Sequence, residues 1–141
     1  MIECVSSIEE IKSLLGMCDL PTTDISSHKP PIFFGIFDHK ALIAVVGLEL
    51  FENVGLLRSL AVLPASRRKG FAQELVTHAE SYALSQNIQS LFLLTETAES
   101  FFHKFGYHTA VRSEAPQAIR NTSQFSGLCP ASSSFLTKRL S

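Results

Sequence analysis

The spacing of hydrophobic positions changes along the chain, and each change predicts an element. A short apolar start, Ile2 to Val5, leads to Ser7 and Glu10, a capping-box pair. Ile8, Ile11, Leu14 and Leu15 then return on one helical face. From Gly16 to Pro31 the sequence GMCDLPTTDISSHKPP keeps no period, and its Pro, Thr and Ser content predicts a loop with at most one helical turn. IFFGIF and ALIAVVGLELF, parted by Asp38, His39 and Lys40, predict two strands and a tight hairpin. A turn at Glu52 to Gly55 leads into LLRSLAVL, so the three strands form an antiparallel meander.

From Phe71 the period becomes helical: Phe71, Ala72, Leu75, Val76, Ala79, Tyr82 and Ala83 share one face, and the helix ends near Asn87. SLFLL follows as a buried strand, which makes the helix a crossover between neighbouring parallel strands. A shorter helix is predicted at Ala98 to Phe105, stopped by Gly106, then a strand YHTAVR and a last strand from Phe135 to Leu140. Between those strands, Pro116 to Gln124 predicts a short helix with proline in its first turn. The expectation is an α/β chain on a mixed sheet, one domain over residues 1–141.

Composition narrows the function classes. With 45% hydrophobic and 18% charged residues the chain can bury a core and is not of the disordered type. A net charge of −1 argues against a broad nucleic-acid surface, so any basic feature is local. No apolar run reaches membrane length, and MIECVSSIEE has no secretory-signal pattern, so no membrane association and a cytoplasmic setting are expected. Cys4, Cys18 and Cys129 are odd in number and lack C-x-x-C spacing, which predicts neither a disulfide framework nor a zinc site. His103 and His108 do not share a helical face, and no metal is expected there. Cys129 reads as a buried thiol.

The local basic feature is RRKGFA, set where an apolar strand ends and a helix opens. First-turn amides and the positive end of the helix dipole favour an anion, and Gly70 has no Cβ to hold a phosphate away. Arg67, Arg68 and Lys69 add charge around a diphosphate. The alternative is an ordinary solvated basic loop.

At these residues the sequence resembles the acetyltransferases of the GNAT superfamily, whose acetyl-CoA motif reads Arg or Gln, two residues, Gly, one residue, then Gly or Ala. Arg67, Gly70 and Ala72 match it, LRSLAVLP matches the preceding strand, and AESFFHKFGY matches a later family segment. A closer likeness covers GLLRSLAV, LFLLTETAESFFHKFGY and PQAIRNTSQFSGLCPAS. These look like the small acetyltransferases encoded with arsenic-resistance genes, near those that acetylate phosphinothricin-like amino acids.

The resemblance implies a GNAT fold of about six to seven strands with flanking helices. Its central parallel strands splay, and the pantetheine arm lies in the gap. It implies that the backbone of Leu60, Ala61 and Val62 holds the pantetheine, and that Arg67, Arg68, Lys69, Gly70, Phe71 and Ala72 bind the diphosphate of acetyl-CoA. Thr95 stands where relatives often carry Asn, and is expected to hydrogen-bond the cofactor arm. One departure is Phe102: many relatives have a tyrosine there to protonate the leaving thiolate. Phe102 cannot, and Tyr107 reads as core.

Acetyl transfer to an amine needs a free amine, a route for its proton and oxyanion stabilisation. An α-amine with a pKa near ~8 is already partly neutral, so positioning carries much of the task. Glu49 interrupts an apolar strand, where a carboxylate needs a wet cleft or a partner. It is expected to act as base or amine anchor, directly or through water, the alternative being a strand-end carboxylate paired with Arg58. For a carboxylated acceptor the binding candidates are Arg58, Arg120, Thr122 and Gln124, since an arginine fork suits a carboxylate.

The leading expectation is an acetyl-CoA-dependent N-acetyltransferase for a small-molecule amine, an amino acid or a toxic analogue. A protein or peptide acetyltransferase and a non-catalytic acetyl-CoA sensor stay open, as does a homodimer.

Overall fold

The structure is a computed structural model that describes residues 2–20, 22, 23, 25, 31–128 and 132–141. Its strands are β1 (Ile2–Cys4), β2 (Ile32–Asp38), β3 (Ala41–Leu50), β4 (Val54–Val62), β5 (Ser90–Thr95), β6 (His108–Thr109) and β7 (Ser134–Arg139). Its helices are α1 (Ile8–Met17), α2 (Phe71–Ser85), α3 (Glu99–Lys104) and α4 (Gln117–Arg120). The strands form one seven-stranded mixed sheet in the order β1-β2-β3-β4-β5-β7-β6. Two compact units divide the chain: Met1–Glu49 with Leu57–Tyr82, and Leu50–Leu56 with Ala83–Ser141.

In the first unit, α1 starts where Ser7 Oγ accepts the Glu10 amide at 3.3 Å, half of the expected capping box. Its periodic face lands in the core: Ile11, Leu14 and Leu15 bury against Val5, Phe33, Leu42, Val45 and Ala61. Each such side chain contributes about 1.5–3 kcal/mol of transfer free energy. The β2–β3 hairpin turns on His39 and Lys40, both with positive φ (49° and 70°), the handedness that matches strand twist. Gly35 is where β2 comes close to its neighbours, for a Cβ there would stand 2.6 Å from Leu42 Cδ1 and 2.7 Å from Val5 Cγ2. On α2, Leu75, Val76 and Ala79 are buried, and the rings of His78 and Tyr82 meet Phe34 edge-on at 4.6 and 5.3 Å.

In the second unit, β4 and β5 run parallel with Val54, Gly55 and Leu56 in register with Ser90, Leu91 and Phe92. β4 continues to Val62 and β5 to Thr95 beyond that ladder. The parallel register agrees with α2 as a crossover. β7 pairs antiparallel with β5 along its whole length. Phe92 stacks on Phe135 at 5.6 Å and Phe125 meets Phe135 edge-on at 5.3 Å, above a core of Leu56, Ala115, Ile119 and Phe135.

The strand expected over YHTAVR is much shorter. Only His108 and Thr109 pair with β7; Ala110 adds one bond to the Phe135 carbonyl, and Arg112–Glu114 then closes a 3-10 turn. Val111 is 56% exposed, so its apolar character marks no buried strand face. The helix expected from Pro116 to Gln124 also divides. Pro116 caps Gln117–Arg120, and a π-type turn follows at Gln124–Leu128. Of the loop expected from Gly16 to Pro31, Gly16 and Met17 instead complete the last turn of α1, and residues 21, 24 and 26–30, like Cys129, lie outside the described residues.

Candidate functional site

β4 ends at Val62, Pro64–Ser66 makes a single 3-10 turn, and the chain reaches α2 through Arg67 to Gly70. Two residues there are left-handed, Arg68 at φ 66° and Gly70 at φ 84°. The Gly70 carbonyl accepts the Glu74 amide at 3.1 Å, which closes the first turn of α2. A Cβ placed on Gly70 meets no atom within 4 Å, so the approach to the first-turn amides is open. Arg67, Arg68 and Lys69 are exposed around that opening, while Phe71 and Ala72 are half-buried. An anion fits these residues: fixed positive charge, the amides of a helix's first turn and no Cβ at Gly70 in the way.

Arg67 is held rather than loose. Its Nε donates to the Val62 carbonyl at 2.9 Å, and its Nη2 lies 3.9 Å from Cys18 Sγ. The Cys18 thiol donates to the same carbonyl at 3.7 Å. Of the expected pantetheine strand, Leu60 and Val62 are half-buried and Ala61 is buried.

Glu49 and Arg58 come together. Arg58 Nη1 lies 2.9 Å from Glu49 Oε2, with 1% of the arginine side chain exposed and 24% of the glutamate's. The guanidinium Nε donates to Ser59 Oγ at 3.0 Å, and Ser59 is left-handed at φ 56° inside β4. A buried cation is costly without partners, and these two supply part of what it needs.

The remaining candidates sit in the second unit. Thr95 Oγ1 accepts the Ala98 amide at 3.0 Å and so starts the turn into α3. Arg120 is exposed, but its Nε donates to the Ala115 carbonyl at 3.0 Å and its Nη2 to that of Ser113. Thr122 is buried, donates to the Ile119 carbonyl at 2.7 Å and accepts the Phe125 amide at 3.2 Å. Gln124 is buried. Phe102 is buried edge-on to Tyr107 at 5.3 Å.

Other polar groups carried little signal in the sequence. His103 Nδ1 lies 2.9 Å from the Tyr107 carbonyl and its Nε2 3.0 Å from Glu99 Oε2, while Glu99 Oε1 accepts from Ser134 Oγ. Both imidazole nitrogens thus face acceptors. The Glu99 hydrogen bond, then the Tyr107 carbonyl, hold the His103 pKa above its ordinary value; the Ser134 hydroxyl, then His103, hold that of Glu99 below. The i, i+4 spacing of Glu99 and His103 was the one available clue. Arg112, 5.6 Å over the Phe125 ring, donates to the Ser133 carbonyl at 2.7 Å. Among the described residues no group of three or more His, Cys, Asp or Glu could hold a metal ion, and no helix is long and apolar enough to cross a membrane.

The sequence profile of the acetyltransferase (GNAT) family matches residues 8–107. An uncharacterized N-acetyltransferase of Chlorobaculum tepidum is 33% identical over 88 residues, which is 61% of this chain and 56% of that protein. Among solved structures, N-acetylglutamate synthase of Neisseria gonorrhoeae, in complex with coenzyme A and N-acetyl-glutamate, superposes with TM-score 0.79 at 24% identity. That match covers all of this chain and 35% of the synthase. Tetrahymena GCN5 superposes with TM-score 0.79 at 12% identity over 100% of this chain and 96% of its own. At these identities the solved structures speak for the fold.

Proposed function

Because the chain belongs to the acetyltransferase (GNAT) family, we propose that residues 1–141 act as one N-acetyltransferase domain, moving an acetyl group from acetyl-CoA to a small-molecule amine. The observation that carries this reading is the open, left-handed Gly70 at the start of α2 among three exposed cations. Arg67, Arg68, Lys69 and the amides from Gly70 to Ala72 would hold the diphosphate. The backbone of Leu60 to Val62 would hold the pantetheine, and Thr95 would touch the same arm.

The chemistry is a single displacement. The amine nitrogen attacks the thioester carbonyl carbon, an N–C bond forms and the C–S bond breaks. The amine proton passes to the Glu49 carboxylate, directly or through one water, and the CoA sulfur leaves as thiolate and takes its proton from solvent. Phe102 has no proton to give, which agrees with solvent as the donor.

The acceptor we infer is an amino acid or an amino-acid analogue of the phosphinothricin or arsenical type. The synthase with the same fold, crystallised with N-acetyl-glutamate, supports an amino-acid acceptor, as does the segment likeness to arsenic-resistance acetyltransferases. Arg120 would face the acceptor's polar end, while Thr122 and Gln124, both buried, would shape the segment that carries it. A thiol-release assay with acetyl-CoA across L-amino acids and their phosphinic and arsenical analogues tests this. Release above the amine-free rate with at least one member is expected; none across the panel overturns it.

A second reading, an acetyl-CoA sensor without turnover, is favoured by Phe102 alone. Tight acetyl-CoA binding with no thiol release in the same assay would select it.

A further inference from the structure

We propose that Arg58 and Ser59 are positioning residues that fix the Glu49 carboxylate for the acceptor's amine. This rests on the reading of Glu49 as base. In a regular strand adjacent side chains point to opposite faces, so residues 58 and 59 should not touch. They do touch, Arg58 Nε donating to Ser59 Oγ at 3.0 Å, because Ser59 takes a left-handed φ of 56° in the middle of β4. That conformation is unfavourable for an L-residue and is kept where the surroundings impose it.

The neighbouring strand is shaped to the same arginine. A Cβ on Gly47 of β3 would stand 3.2 Å from Arg58 Cγ and 2.9 Å from Phe33 Cε1. A side chain at position 47 would crowd the Phe33 ring and the aliphatic part of Arg58. The guanidinium, 1% exposed, then reaches Glu49 Oε2 at 2.9 Å while the carboxylate keeps 24% exposure. One carboxylate oxygen is held by the arginine while the side chain stays partly exposed, so the group is fixed in place and still within reach of an amine or a water. Two apolar residues could fill the same volume without loss of stability, so packing alone does not require the pair.

The consequence is that Ser59, remote from the amine, acts on turnover through Arg58 and Glu49. The test uses the full chain, acetyl-CoA and the most active amine among the L-amino acids, phosphinothricin and its arsenical analogues. Ser59→Ala should lower kcat about tenfold, the scale of a small misplacement of a reacting group, with acceptor KM and acetyl-CoA Kd within about twofold. Ser59→Gly removes the hydroxyl and relieves the backbone, and should lose turnover equally. Ser59→Asn keeps an acceptor oxygen on a residue that tolerates this φ, and should restore most of it. In a Glu49→Gln background, Ser59→Ala should cost nothing further.

If Glu49→Gln is crippled while Ser59→Ala and Ser59→Gly match the wild type, the positioning role is wrong and the base stands. If Ser59→Ala costs as much in Glu49→Gln as in the wild type, it acts elsewhere and the proposal is overturned. Wild-type turnover in Glu49→Gln, or no turnover with any amine, removes the base and this proposal together.

Discussion

Arg67 Nε lies 2.9 Å from the carbonyl oxygen of Val62, so the first cation of the RRKG junction is tied back to the strand it follows. The Cys18 thiol, at the end of α1, donates to the same carbonyl at 3.7 Å. An anion bound at this junction would meet an arginine already oriented, at a smaller loss of side-chain entropy. Gly70 has the opposite design. It contributes no side chain, only its backbone, an unobstructed approach and a φ that other residues adopt at a cost.

Gly70→Glu is expected to abolish acetyl-CoA binding. A Cβ at this position meets no atom within 4 Å, so the substitution starts into open space. The left-handed φ of 84° adds a backbone cost of about 1–2 kcal/mol, within what a domain tolerates. The carboxylate then sits where the diphosphate approaches. Calorimetric titration with acetyl-CoA, on protein shown folded by circular dichroism, checks this. Unchanged affinity in a folded Gly70→Glu protein would remove the phosphate-cradle reading.

Arg67→Ala should weaken acetyl-CoA binding by about tenfold, the scale of one charge-assisted contact, because the amide donors remain. Its deficit relative to the wild type should shrink as salt rises, since screening has already reduced the native contact. A deficit independent of ionic strength from low to high salt would point to a purely structural role through Val62.

Glu49→Gln should lower turnover by about a hundredfold or more, the range of general-base loss, and leave acetyl-CoA affinity nearly unchanged. Gln still accepts a hydrogen bond from Arg58, so much of the local geometry can persist. Turnover equal to wild type would assign Glu49 to structure alone.

The backbone architecture was largely legible because it rests on periodicity. The faces of α1 and α2, the β2–β3 hairpin and the parallel crossover all follow from local pattern and short connections. The limits of β6 were not, because Val111 looks like a strand residue until its 56% exposure is known. In the candidate site, Arg67 to Ala72 could be located because a glycine and three cations at a strand-to-helix junction form a contiguous motif. The Glu49–Arg58 contact stood in the sequence only as one of two readings, nine positions apart. Ser59 carried no signal, since its role depends on a left-handed φ that no residue identity announces. Nor did Ser134, which meets Glu99 only once β7 lies beside α3.

The Glu99–His103 pair should make stability depend on pH. His103 has a raised pKa, so its contribution is fully present below its ordinary value of 6.5 and is lost as pH rises through the folded value. Glu99 has a lowered pKa, so its contribution is present above its ordinary 4.5 and is lost as pH falls through the folded value. Both side chains are substantially exposed, so the effect is small. Melting curves of wild type and His103→Gln should differ most between those two titrations and converge at alkaline pH. A difference that grows above neutral pH would mean that imidazole charge is not what matters.

Arg120→Lys should raise the KM of a carboxylated acceptor severalfold, because a lysine cannot present two parallel donors to a carboxylate. Arg120 is exposed, yet it also donates to the carbonyls of Ala115 and Ser113, so its replacement also loosens the segment that carries it. The two effects separate by acceptor chemistry. An amino acid and the amine left by its decarboxylation present the same nucleophile, and only one carries the anion. If Arg120 recognises that anion, the lysine variant penalises the amino acid and leaves the simple amine unaffected. If the arginine only braces its own loop, both acceptors lose alike and the melting temperature falls with them. Thr122→Val supplies the reference for the second case. That buried hydroxyl donates to the Ile119 carbonyl and accepts the Phe125 amide, so its loss should cost about 1–3 kcal/mol of stability. Steady-state kinetics with the two acceptors, run beside melting curves for both variants, assigns Arg120 to recognition only if its profile departs from that of Thr122→Val.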